Sequence, residues 1–289
     1  MTGSLNRAIV VTGASTGIGR AVVATAAREG AHVFASVRKQ PDADSLKSEF
    51  GDLVTPLLFD VADEAGVRAG AARVAEALGG TSLFGLVNNA GVAVTGPALY
   101  IETEKLRRQF EINLFGVHNV TRAFAPLLGS DPARKGAPGR IVMISSVAGQ
   151  VAQPFASAYA ASKHALEGYS TALRRELMLF GIDVVIIGPG AVSTPIWSKG
   201  EESGFARLTG TPYEAAGKAV LKFFADADRR GVAPSAVAAL IWRALTAAKP
   251  KARYPILKNW LTGWTLPRLL PARVVDRIAA RRLGFPLRS

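Results

Sequence analysis

The chain has 289 residues, 49% of them hydrophobic and 20% charged, with 29 Gly and 16 Pro, which excludes a disordered or fibrous protein. It has no cysteine, which excludes a disulfide framework, a thiolate zinc site and a cysteine nucleophile, and His32, His118 and His164 lie too far apart for a local metal motif. The formal charge of +13 is concentrated at one end: residues 249–289 carry ten Lys or Arg against the single acid Asp276, a net +9, leaving +4 for the first 248 residues.

Residues 8–12 are a short apolar run ending at Gly13, the pattern of a buried strand. Residues 18–29 follow with helical spacing, placing Ile18, Val22, Val23 and Ala26 on one side and Gly30 as the stop. The cycle repeats with a strand over 32–37, a helix over 42–50, a strand over 54–60, a helix over 64–78 and a strand over 83–88. One long helix over 103–128, a strand over 140–145, a helix over 158–180 and a sixth strand over 183–188 complete the regular part. Strands alternating with helices at this pitch predict one α/β domain with a doubly wound parallel sheet covered on both faces. Beyond Gly190 the pattern loosens. Residues 191–233 read as a mobile lid with a helix over 213–230, then come a helix over 234–248 and a seventh strand over 253–256. Residues 1–250 form the expected domain, and residues 251–289 a basic extension containing Trp and Leu.

No stretch of 18 uncharged apolar residues occurs, and the first residues run directly into a strand without space for a signal peptide. A soluble cytoplasmic protein is expected.

The first strand-to-helix turn reads Thr12-Gly13-Ala14-Ser15-Thr16-Gly17-Ile18-Gly19. Glycines there let the chain turn tightly and bring backbone N–H groups and a helix N-terminus to a phosphate. The same letters spell Gly-x-Ser-x-Gly, the serine hydrolase elbow, but no earlier strand supplies an oxyanion loop and no histidine follows His164. For a dinucleotide, the end of the second strand decides the ribose contact: an acid suits NAD, a base the 2′-phosphate of NADP. Arg38 stands there with Lys39 beside it and no acid before Asp42, so NADP is expected in preference to NAD.

Tyr159 and Lys163 stand at i and i+4 on one helix face. A free tyrosine is a poor base at neutral pH, and a neighbouring ammonium would stabilise its phenolate, so that Tyr159 could exchange a proton with an alcohol or carbonyl oxygen. A second Tyr-x3-Lys, Tyr254 to Lys258, lies in the basic tail with Pro255 after the tyrosine and reads as a decoy. Only the first copy has a hydroxyl, Ser146, upstream at a strand's carboxyl end, where it could orient a substrate oxygen.

With these residues in this order the chain resembles the short-chain dehydrogenase/reductase family over about residues 5–250. The likeness rests on Thr12–Gly19, Asp60-Val61, Asn88-Asn89-Ala90-Gly91, Asn113, Ser146, Tyr159 with Lys163, and Pro189-Gly190 followed by Thr194. It implies a Rossmann-like fold and NAD(P)-dependent hydride transfer. It further implies Tyr159 as proton donor and acceptor, Lys163 as its pKa partner and ribose ligand, Ser146 as holder of the substrate oxygen, and Asn113 as support for a water relay. Gly13, Ser15, Thr16, Gly17, Ile18, Gly19, Arg38, Asp60, Val61, Asn88, Gly91, Tyr159, Lys163, Pro189, Gly190 and Thr194 are the cofactor contacts so implied.

The segment from Tyr159 to Thr194 looks nearest the retinol- and hydroxysteroid-dehydrogenase-like branch, which implies a bulky hydrophobic alcohol or ketone and a homodimer or homotetramer. Gly188 departs from the pattern, standing where many members carry an acid or asparagine before Pro-Gly. The lid offers Ile196, Trp197, Phe205, Leu208 and Tyr213 to such a ligand or to its own packing. Reduction of a carrier-bound 3-oxoacyl chain and a non-catalytic NADP-binding regulator are the competing readings. The tail's Trp and Leu with flanking cations suit peripheral contact with an anionic membrane, or packing within the protein, and nucleic acid is not an expected partner.

Overall fold

The computed structural model describes residues 4–194, 196, 205 and 208–285. Seven strands form one parallel sheet in the order β3-β2-β1-β4-β5-β6-β7. They are β1 (Ser4–Val11), β2 (Ala31–Val37), β3 (Val54–Leu58), β4 (Gly85–Asn88), β5 (Arg140–Ile144), β6 (Asp183–Pro189) and β7 (Arg253–Ile256). The sheet's central stretches, such as Ala8–Val11 of β1 and Val184–Ile187 of β6, are apolar because both faces are buried there. On β1, Ala8 and Val10 enter one core while Ile9 and Val11 enter the other, and on β6 Val184 and Ile186 separate from Val185 and Ile187 in the same way.

The first core is closed by α3 (Glu64–Leu78), α5 (Gly116–Phe124) and α6 (Ser157–Glu176), through residues such as Val74, Phe124 and Leu166. The second is closed by α1 (Gly17–Arg28), α2 (Gln40–Phe50) and α8 (Pro234–Thr246), through Val23, Leu46 and Ile241. The chain reverses direction across the sheet between β1 and β4. A crevice therefore opens beyond the carboxyl ends of these strands, where ligands bind in doubly wound sheets.

Several boundaries differ from expectation. The single helix over 103–128 is α4 (Thr103–Phe110), one wide π-helical turn (Glu111–Phe115), α5, and a tight 3₁₀ turn (Pro126–Leu128) whose proline lacks the amide that a continuing helix needs. The fourth strand begins at Gly85 because the Leu83 amide bonds the Leu127 carbonyl instead of a neighbouring strand. The 158–180 helix ends at Glu176 and tightens into a 3₁₀ turn closed by Gly181. β7 pairs with β6 beyond residue 250, so the sheet takes in the start of the basic extension. After it come α9 (Leu266–Leu269) and α10 (Ala272–Leu283). Among the described residues no helix is long and apolar enough to cross a membrane.

The helix expected over 213–230 is α7 (Glu214–Arg230). Of the two readings open for Phe205, Leu208 and Tyr213, a ligand or their own packing, the structure shows the second: they pack with Phe155 and Phe224 in a separate apolar cluster, with Phe285 of the tail against it. The rings meet closely there, Phe155 stacking on Phe205 with centroids 5.9 Å apart and Tyr213 standing edge-on to Phe155. Trp197 lies outside the described residues.

Candidate active site

The crevice is a cavity of about 680 Å³. One end is the glycine turn. Gly13 and Gly17 adopt left-handed conformations (φ +64° and +59°), and a Cβ at Gly13 would stand 2.8 Å from the Ala90 backbone. Asn89 and Thr12 brace this turn. The Asn89 amide donates to the Thr12 and Gly13 carbonyls at 2.9 and 3.0 Å, and the Thr12 hydroxyl accepts from the Asn89 and Ala90 amides at 3.0 Å. The first turn of α1 contains no acid, and the Thr16 hydroxyl does not cap it, so its N–H groups and positive dipole end are offered to an anion.

At the ends of β2 and β3, Arg38, Lys39, Asp60 and Val61 line the cavity. The Asp60 carboxylate accepts from the Ala62 amide at 3.0 Å and lies 3.8 Å from the Arg38 guanidinium, both side chains being exposed. The other end is formed by Ser146, Tyr159 and Lys163, with Gly91, Pro189, Gly190, Thr194 and Ile196 completing the wall. β5 delivers Ser146, and α6 delivers Tyr159 and Lys163 one turn apart. The Ser146 hydroxyl hydrogen-bonds the Tyr159 phenol and also faces the Pro189 carbonyl at 3.3 Å.

Burial pushes the Tyr159 phenol up, and the Ser146 hydrogen bond opposes the rise. The ammonium donates to the Ile144 carbonyl at 2.8 Å and stands 5.8 Å from the centre of the Tyr159 ring. Burial lowers Lys163 itself to about 8, with Glu167, one turn further along α6, pulling it upward.

Three expected contacts stand outside the cavity wall. Asn88 points the other way from its neighbour, its amide donating to Thr121 at 3.0 Å and facing the Met143 sulfur. Asn89 lines the cavity in its place. Asn113 is fully buried, its Oδ1 accepting from the Val92 amide at 2.9 Å and its Nδ2 donating to the Val92 carbonyl and the Ser162 hydroxyl at 3.1 Å. Gly19 packs α1 onto the turn, where a Cβ would stand 2.2 Å from the Gly13 oxygen. Gln109, absent from the sequence expectations, works beside Asn113, holding the Val94 amide and the Val92 carbonyl at 2.6 and 2.7 Å.

The second Tyr-x3-Lys takes no part in the cavity. The Tyr254 hydroxyl accepts from the Lys251 amide, and Lys258 donates to the Arg230 carbonyl at the end of α7. Among the described residues no cluster of His or acids could hold a metal.

These walls fit a dinucleotide. The tight glycine turn and open helix end suit a pyrophosphate, the pair of basic residues suits an adenosine phosphate, and the buried hydroxyls and ammonium stand at the opposite end.

Comparison with known proteins agrees. Residues 7–203 match the family described as short chain dehydrogenase. An NADPH-dependent 3-dehydrocapnine reductase of Ornithobacterium rhinotracheale is 38% identical over 272 residues, covering 94% of this chain and 95% of its own. Retinol dehydrogenase 5 of Mus musculus is 32% identical, covering 97% and 90%. Among solved structures, a short-chain dehydrogenase from Streptomyces avermitilis superposes with a TM-score of 0.75 at 29% identity over 95% of this chain and 94% of its own. Fold, glycine turn, Ser146/Tyr159/Lys163 end and these relatives agree, and the chain belongs to the short-chain dehydrogenase family of oxidoreductases.

Proposed function

We propose that this protein is an NADP-linked oxidoreductase that interconverts a hydrophobic alcohol and its ketone or aldehyde, with Tyr159 as the proton donor and acceptor. The observation that carries the reading is the meeting of Ser146, Tyr159 and Lys163 at one end of a cavity whose other end is a phosphate cradle. The nicotinamide of the bound cofactor supplies or takes the hydride. Ser146 orients the substrate oxygen toward the phenol. Tyr159 gives that oxygen a proton in reduction and takes one in oxidation. Lys163, positively charged below about pH 8, holds the cofactor ribose and adds positive charge beside the phenol as the proton moves. Burial raises the phenol and the Ser146 hydrogen bond opposes the rise, and a bound oxidised cofactor would add positive charge that favours the phenolate.

Arg38 and Lys39 at the adenosine end support NADP, and so does the relative named for NADPH dependence. A hydrophobic substrate is supported by Val92, Ala93, Val94, Val192 and Ile196 in the cavity wall, and by relatives named for 3-dehydrocapnine and retinol. The test is a turnover screen with NADPH and NADH against steroid, retinoid and 3-oxoacyl ketones, repeated with Tyr159→Phe. The variant should lose at least 100-fold in kcat while binding NADPH within twofold of wild type. Near-normal turnover in the variant would sink the assignment, and preferred reduction of carrier-bound 3-oxoacyl chains would replace the substrate class.

The tail supports a second reading, peripheral contact with an anionic lipid surface. Trp260, Leu261 and Leu269 are exposed, and Arg268, Arg273 and Arg277 stand among and after them.

A further inference from the structure

Beside Ser146, outside the cavity wall, a charged cluster joins three distant parts of the chain. Arg253, the first residue of β7, donates from Nε to both Glu167 oxygens at 3.0 and 3.2 Å and from Nη2 to one of them at 3.1 Å. The same Nη2 donates to the main-chain carbonyl of Ser146 at 3.2 Å. Its guanidinium carbon lies 4.2 Å from the centre of the Trp264 ring, which is 5% exposed and carries Arg268 at 4.6 Å as well. Glu167 also accepts from Gln150 at 3.2 Å.

Gly188 explains how the guanidinium gets there. A Cβ at that position would stand 2.3 Å from Arg253 Nη2 and 2.7 Å from its carbon. The missing side chain at 188 is therefore the space that Arg253 fills from the neighbouring strand. A buried ion pair is poor evidence of stabilisation for its own sake, because desolvating both charges offsets most of their attraction. The Arg253 fork does have a directional consequence. Ser146 opens a tight turn in which its hydroxyl accepts from the Ala148 amide and its carbonyl accepts from the Gly149 amide, both at 3.1 Å. Arg253 donates to that same carbonyl and so fixes the peptide that aims the hydroxyl.

We propose that Arg253 is a positioning residue for the Ser146 hydroxyl and that Trp264, packed on its guanidinium, ties this support of the active site to the C-terminal segment. The proposal rests on the role of Ser146 in the function proposed above. Lysine at 253 keeps the charge but cannot hold Glu167, Ser146 and the indole face together.

The experiment compares wild type, Arg253→Lys and Trp264→Leu in the full-length chain. Amide hydrogen exchange is measured at Ala148 and Gly149, NADPH affinity by fluorescence, and kcat and KM with the ketone that the wild type reduces best. Arg253→Lys should speed exchange at Ala148 and Gly149 at least tenfold, leave the amides of residues 13–19 unchanged, and lower kcat 10- to 100-fold with NADPH affinity within twofold. Trp264→Leu should produce the same pattern at a smaller amplitude, and it decides the matter if Arg253→Lys does not fold. Unchanged exchange at Ala148 and Gly149, or NADPH affinity falling in step with kcat, overturns the proposal. If the wild type turns over neither a ketone nor an aldehyde nor the matching alcohol, the functional reading fails, and the exchange measurement alone still decides the role of Arg253.

Discussion

Lys163 is held between burial, which expels its proton, and the Glu167 carboxylate, which retains it, and the balance falls at about 8. The consequence is a pH profile with a definite sign. Reduction needs Lys163 as the ammonium and Tyr159 as the phenol, and burial has raised the phenol above its ordinary value. Lys163 therefore deprotonates first as pH rises. We expect kcat/KM for ketone reduction to be level through neutrality and to fall above about pH 8, since that ratio reports groups of the enzyme form that meets the ketone. An alkaline limb that begins only near the ordinary lysine range would show that Lys163 does not control it. Arg38 carries the other prediction at this scale. A charge-assisted bidentate bond to a phosphate contributes about 1.5–3 kcal/mol, but Arg38 is 60% exposed and has Asp60 at 3.8 Å, so the lower end applies. That corresponds to about a tenfold preference for NADPH over NADH. Replacing Val37 with Asp and Arg38 with Ala should reverse the preference, as read from Kd values for the two cofactors. Equal binding of both by the wild type would make Arg38 a bystander.

At the scale of elements, α8 is fastened to the sheet by one side chain from another strand. Arg140, at the start of β5, donates from Nη1 to the carbonyls of Ala244, Leu245 and Ala247 at 2.6, 2.8 and 3.0 Å and pairs with Asp183 at 3.2 Å. The end of a helix leaves such carbonyls without partners and carries a partial negative charge, so a largely buried guanidinium there satisfies both needs. Arg140→Ala should cost about 2–3 kcal/mol, the penalty for orphaned buried groups, and lower Tm by several degrees while leaving kcat unchanged. Thermal denaturation beside a turnover assay checks it, and an unaltered Tm would mean that water replaces the cap. Nothing in the sequence near Arg140 announces this bond, because its acceptors are more than 100 positions away. The same distinction separates what could be read in advance from what could not. The strand and helix alternation, the glycine turn and the Tyr159–Lys163 spacing are local patterns, and the structure holds each of them where local rules place it. Asn88 and Asn89 show where those rules become insufficient, since side chains alternate between faces and a shift of one residue exchanges core for cavity. The lid rings and the Arg253–Glu167 pair, 86 positions apart, follow from tertiary packing that no local spacing encodes.

For the whole molecule, the uneven distribution of charge sets the last prediction. The +9 of residues 249–289 is not spread evenly in space, because Arg253 is consumed beside the active site and Lys258 is tied to α7. Arg268, Arg273, Arg277, Arg281 and Arg282 remain on the outer surface of α9 and α10, with Asp276 as the one acid among them. α10 has no fully buried residue, and Trp260, Leu261 and Leu269, which precede it in the chain, are exposed. A basic residue near an anionic bilayer contributes about 1 kcal/mol, and each large apolar side chain that enters the interface about 1.5–3 kcal/mol. The two contributions are separable because only the first is screened by salt. Full-length protein should therefore co-sediment with phosphatidylserine-containing vesicles, bind them several-fold more weakly in 0.5 M salt on the order expected from that screening, and ignore neutral vesicles. Deleting the tail would confound this test, since Trp264 is packed on Arg253 and its loss would reach Ser146. The triple replacement Trp260→Ser, Leu261→Ser and Leu269→Ser leaves that contact in place and should weaken vesicle binding at least tenfold with kcat preserved. Absence of vesicle binding by the wild type, or equal binding by the triple variant, would rule out the membrane contact.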